Sequence, residues 1–204
     1  MNVVFLGEST IAGVGIEDHA YGIAGSFAHE YSQQTNQNLT WTVIAKSGFT
    51  AAEVTESLIA KLPQEHIDLI VIGLGGNDSF ALHTPNRWVR DIHALIAAIQ
   101  QKAPDTPILF VNLPPVGEFP AFPGLLQWMM AGICELLRKA LIKIADQTAG
   151  VWFFSEPVRF DAWKHEAPHL KSIDDFFSDG VHPAAITYQI WGKQIANYWL
   201  SLDL

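Results

Sequence analysis

Val3-Val4-Phe5-Leu6-Gly7-Glu8-Ser9 is the stretch from which the fold can be read. Four apolar residues run straight into a glycine, the pattern of a short buried strand that ends at a sheet edge. The Thr10-Ile11-Ala12-Gly13-Val14-Gly15 that follows is too rich in glycine to extend it. Ser9 thus stands at the carboxyl end of a buried strand, where open α/β sheets place their ligands. Taken alone, it reads more simply as a turn serine bonded to its own backbone. Any chemistry at Ser9 therefore needs partners elsewhere in the chain.

Outward from this strand, Ile23, Phe27 and Tyr31 recur every four positions and predict a helix from about Tyr21 to Gln34. Leu39 to Ala45 reads as a second strand, with Trp41, Val43 and Ala45 alternating, and Lys46-Ser47-Gly48 as the turn that ends it. Thr50 can cap a helix running to about Leu62, where Pro63 follows. Asp68 to Leu74 is a third strand, closing in Gly75-Gly76-Asn77-Asp78. A helix from about Asn86 to Lys102 and a strand from Ile108 to Val111 come next, then an ordered, proline-rich loop from Leu113 to Pro123. The longest helix is expected from Gly124 to Ala149, and the fifth strand from Val151 to Phe154. No clear periodicity follows until a last helix, expected to start at Pro183 and run to about Leu200. Strands buried on both faces, joined by crossovers of helical length, predict a mostly parallel five-stranded sheet. The fold class is α/β: a three-layer α/β/α sandwich of flavodoxin-like type, in one domain spanning residues 1–204.

Composition narrows the partners. With 49% apolar and 16% charged residues among 204, the chain can bury a large core without disulfides or metals. A formal charge of −9 disfavours nucleic acid, whose binding needs clustered Lys and Arg. No apolar run reaches membrane-spanning length. Without a basic, signal-like amino terminus, a cytoplasmic location is expected. Cys134 is the only cysteine and reads as a small core residue.

In a parallel sheet every turn after a strand opens on one edge. Ser9, Gly48 and Asn77 follow strands one, two and three, and Asp179 and His182 lie just before the last helix. The five can therefore converge, and each suits a role in acyl transfer. Ser9 is a nucleophile if a base takes its proton; His182 can be that base; Asp179, three residues earlier, can orient the imidazole. The backbone N–H groups of Ser9 and Gly48 and the Asn77 side chain can meet the oxyanion. Glycine at 48 fits a close approach of backbone to substrate. Asp174 and Asp175 read as solvated carboxylates that compete with Asp179 for its role.

At these residues the sequence resembles the GDSL or SGNH hydrolases. Gly7-Glu8-Ser9-Thr10-Ile11-Ala12-Gly13 is similar to the family's first block, Gly48 falls at the oxyanion glycine of the second, Gly75-Gly76-Asn77-Asp78 fits G-x-N-D of the third, and Asp179-Gly180-Val181-His182-Pro183 fits D-x-x-H of the last. Glu8 and Thr10 replace the usual aspartate and leucine of the first block. The resemblance implies the SGNH-hydrolase fold, no cofactor, and a lipase-like serine hydrolase acting on small acyl esters. Ser9, Asp179 and His182 would be catalytic, and Ser9, Gly48 and Asn77 would form the oxyanion hole. Short-to-medium acyl esters are the expected substrate, with Phe119, Phe122 and Trp128 lining the acyl pocket. The resemblance equally permits a lysophospholipase, a thioesterase or a carbohydrate O-deacetylase.

Two other readings compete. His165-Glu166-Ala167-Pro168-His169 spells the H-E-x-x-H of zinc proteases, but Pro168 inside the required helix would cost about 3 kcal/mol. A solvated loop without metal is expected there. A non-catalytic flavin- or phosphate-binding module of the same fold would use the Gly-rich first turn, yet leaves Asn77, Asp179 and His182 without a role.

Overall fold

The computed structural model describes residues 1–158 and 160–202. Its sheet has β1 (Asn2–Gly7) at the middle of the early strands, flanked by β2 (Thr40–Ala45) and β3 (Leu69–Gly73), with β4 (Ile108–Phe110) and β5 (Val151–Phe153) beyond β3. The order is β2-β1-β3-β4-β5 and every pair is parallel, so the expected mostly parallel sheet is wholly parallel. Gly7 pairs with both Ala45 and Gly73, which brings the ends of three strands to one level. The chain goes from β1 to one side and returns on the other, and such a reversal opens the crevice in which α/β sheets bind ligands.

Among the described residues the α-helices are α1 (Ile23–Thr35), α2 (Ala51–Ser57), α3 (Gly76–Phe80), α4 (Pro85–Lys102), α5 (Gly124–Gln147), α6 (Phe160–Trp163) and α7 (Ala185–Leu200). Strand alternation decides which side each covers. Val3, Phe5, Leu69, Val71 and Leu109 cluster with Ile23 and Phe27 of α1 and Tyr188, Trp191 and Ile195 of α7. Val4, Leu6, Ile70, Ile72 and Phe110 cluster with Val54 of α2, Trp88, Ile92 and Leu95 of α4, and Leu137 and Leu141 of α5. Nearly all of these are out of contact with water, and each such large side chain stabilises the fold by roughly 1.5–3 kcal/mol.

Three departures from the sequence reading bear on function. Gly75-Gly76-Asn77-Asp78, which in the sequence reads only as the close of the third strand, opens the short helix α3. The last helix begins at Ala185 and not at Pro183, because Pro183 pairs with Phe177 in an isolated antiparallel bridge. Helix α6 falls in the stretch without clear periodicity, and the His165–His169 stretch after it forms turns. Among the described residues no helix is long and apolar enough to cross a membrane.

Candidate active site

Ser9, Gly48, Asn77 and His182 line one cavity of about 220 Å³, at the level where β1, β2 and β3 end. Glu8, Thr10, Ser47 and Gly76 complete its polar wall, and Phe80, Pro114, Phe119 and Val181 its apolar one. Residues separated by most of the chain meet here because each follows a strand or precedes α7.

Ser9 begins a tight turn, in which Ala12 N–H donates to the Glu8 carbonyl at 2.9 Å and Val14 N–H to the Ser9 carbonyl at 3.1 Å. Among the described residues, the backbone N–H groups of Ser9 and Gly48 donate to no acceptor in the chain. Gly48 has φ +86°, a region that disfavours side chains, while a Cβ there would meet nothing within 4 Å. Backbone conformation, and not crowding by the protein, is what asks for glycine at this position.

His182 and Asp179 are held by the turn between them. Asp179 Oδ1 accepts from the backbone N–H groups of Val181 at 3.0 Å and His182 at 2.7 Å, and Oδ2 lies 2.8 Å from His182 Nδ1. Burial raises the Asp179 carboxyl, but these three donors outweigh it and hold the acid at about 2. The ionised acid can only accept, so Nδ1 carries the hydrogen, and in the neutral ring this leaves Nε2 as the acceptor. Among the described residues no hydrogen bond joins Ser9 to His182, although both face the cavity. Of the competing carboxylates, Asp175 turns away to accept from the N–H groups of Lys171 and Ser172.

Asn77 is gripped from behind by Glu8. Glu8 Oε1 accepts from Gly76 N–H at 2.8 Å; Oε2 accepts from Asn77 N–H at 2.9 Å and from Asn77 Nδ2 at 2.5 Å. Nδ2 also donates to the Phe49 carbonyl at 3.1 Å. Burial pushes the Glu8 carboxyl up to about 7; the N–H donors of Asn77 and Gly76 oppose this, and the charge of Asp78 adds to it. Asp78 in turn accepts from Ala51 N–H at 3.1 Å, which ties α3 to the start of α2 and so to the Gly48 turn.

The aromatic residues divide. Phe119 lines the cavity; Phe122 sits one layer back, 5.7 Å from Phe119 and 5.8 Å from Phe80 between ring centres. Trp128 is 76% exposed on α5 and does not reach the cavity wall. Phe80 takes the place expected for it: it lies three residues after Asn77, one helical turn on, which only a helical reading of 76–80 could have revealed. Cys134 Sγ lies 3.0 Å from Ser79 Oγ, and burial pushes its thiol up to about 11, so it stays protonated.

Comparison with known proteins bears on the fold and the family. Among solved structures, TesA superposes with a TM-score of 0.68 at 18% identity, covering 100% of both chains. The lipase/acylhydrolase from Enterococcus faecalis gives 0.64 at 17% identity, over 98% of this chain and 96% of that one. Phospholipase A1 from Streptomyces albidoflavus NA297 gives 0.63 at 17% identity, over 97% and 98%. No curated protein matches. At these identities the structural likeness is one of fold. The sequence itself matches the family described as GDSL-like Lipase/Acylhydrolase over residues 5–190, a span that holds Ser9, Gly48, Asn77, Asp179 and His182. The chain belongs to the GDSL-like lipase/acylhydrolase family.

Proposed function

We propose that this protein is a serine esterase that cleaves short-to-medium carboxylic acyl esters through an acyl-enzyme on Ser9. One observation carries the reading: Ser9, Gly48, Asn77 and His182 share a cavity, and His182 Nδ1 is 2.8 Å from an ionised Asp179. His182 Nε2 takes the Ser9 proton as Oγ attacks the carbonyl carbon, and the imidazolium is stabilised by Asp179. The carbonyl electron pair moves onto oxygen, where the N–H groups of Ser9 and Gly48 and the Asn77 amide receive it. Collapse expels the alcohol, protonated by His182, and water then repeats the sequence to release the acid. Nucleophile–base bonds commonly tighten only once substrate is seated, which accords with the open Ser9–His182 pair.

The cavity volume of about 220 Å³ lies below the roughly 300–1,000 Å³ of sites for drug-sized ligands. That favours acyl groups of few carbons held against Phe80, Phe119 and Val181. The same size supports a second reading, an acetyl esterase acting on a larger alcohol such as an O-acetylated carbohydrate. Initial rates on p-nitrophenyl esters from acetate to octanoate test both the activity and the acyl range. Ser9→Ala is expected to lower kcat by about 10⁶-fold if the three residues act as a unit. Near-normal turnover by that variant would exclude Ser9 as the nucleophile.

A further inference from the structure

We propose that Glu8 is a positioning residue of the oxyanion hole: its carboxylate fixes Asn77 so that the amide gives up the Phe49 carbonyl, and not Glu8, when the substrate oxyanion arrives. The proposal rests on the esterase reading above and adds the residue through which one of its donors acts.

A primary amide has two hydrogens, and Asn77 Nδ2 already spends both, one on Glu8 at 2.5 Å and one on Phe49 at 3.1 Å. Stabilising an oxyanion therefore requires one bond to be exchanged. The Phe49 carbonyl is neutral and more distant, while Glu8 is nearer and, when ionised, forms bonds about twice as strong. Phe49 is the partner that leaves.

Glu8 is also built to resist rotation. It is 1% exposed, and both its oxygens are engaged, one by Gly76 N–H and the other by the backbone and side chain of Asn77. Asn77 is thus held at two points by a residue that directly precedes Ser9. Two of the three proposed oxyanion donors are thereby linked through Glu8, Ser9 by the peptide bond and Asn77 by hydrogen bonds. Glutamine cannot replace this acid, since its single acceptor oxygen would leave an NH₂ group facing another donor. Aspartate keeps two acceptors but is one methylene shorter.

The test compares wild type, Glu8→Gln and Glu8→Asp on p-nitrophenyl acetate at pH 8.5, with kcat expressed per site titrated by a phosphonate that labels Ser9. Glu8→Gln is expected to lose about tenfold or more in kcat with KM changed less than about twofold, and Glu8→Asp to recover part of that loss. Wild-type kcat per titrated site in Glu8→Gln would overturn the proposal. If Glu8→Gln does not fold, Glu8→Asp carries the test in a double-mutant cycle. Its kcat loss is expected to vanish when Asn77 is already alanine, whereas independent losses would overturn the proposal. Ser9→Ala separates the two levels. Full turnover by Ser9→Ala overturns the esterase reading itself; an inactive Ser9→Ala beside an unimpaired Glu8→Gln overturns only the role of Glu8.

Discussion

The Asn77 amide stands between a buried acid and a backbone carbonyl, and under the proposed mechanism its contribution to rate is separable from its contribution to binding. An oxyanion exists only after attack, so a donor to it acts on kcat. Asn77→Ala is expected to lower kcat on the order of 10²–10³-fold with little change in KM. A change confined to KM, measured on the same ester, would make Asn77 a substrate-binding residue. The chemical types at Ser9, Gly48, Asn77, Asp179 and His182 were legible in the sequence because each abuts a recognisable strand or helix. The part played by Glu8 was not. Its partners Gly76 and Asn77 lie 68 and 69 residues away, and nothing local to Glu8 signals a carboxylate turned inward. Trp128 misled for the opposite reason: an aromatic residue near a loop suggests a pocket, but its position on α5 turns it to solvent.

Among the elements, the meeting of the Ser9 turn with the His182 turn is what brings these two side chains to one cavity. Tyr188 of α7 donates its hydroxyl hydrogen to the Val14 carbonyl at 2.8 Å. The other turn is closed by Ser178, whose backbone N–H and hydroxyl both donate to the His182 carbonyl, at 2.8 and 3.1 Å. Gly15 lies between them with φ +96°, and a Cβ there would fall 2.4 Å from Ser178 Oγ and 3.0 Å from the Pro183 carbonyl. Gly15→Ala is expected to cost more than about 1 kcal/mol in urea unfolding, since both the backbone conformation and the space are wrong for alanine. It is also expected to reduce kcat more than KM, because the displaced Ser178 holds the His182 turn. An unchanged urea midpoint would show that the two turns are not packed as described. The long helices were readable from apolar spacing, but α3 was not, since five residues beginning Gly-Asn-Asp have poor helix propensity. Its first two N–H groups are met by Glu8, a cap supplied from a distant strand end.

For the molecule as a whole, the sheet was legible because strands buried on both faces have no polar alternation to confuse the pattern. The cost of the site's buried acid was not, because it depends on how completely the folded chain removes Glu8 from water. Glu8 shifts from an ordinary 4.5 to about 7 on folding. The folded state therefore holds an extra proton between these values, and this contribution to stability is present below about 4.5 and lost as pH rises through 7. Integrated, the loss is on the order of 3 kcal/mol. Asp179 acts in the opposite sense: lowered from 3.8 to about 2, it stabilises the fold above 3.8 and loses that effect as pH falls towards 2. The two windows do not overlap, so a comparison between pH 5 and 8 isolates Glu8 from Asp179. The difference in unfolding free energy between wild type and Glu8→Gln is the quantity to follow, because groups common to both cancel. Whatever its offset, that difference is expected to move against the wild type as pH rises from 5 to 8. A difference independent of pH would mean that Glu8 ionises in the fold as it does in water, and that holding Asn77 carries no cost in stability.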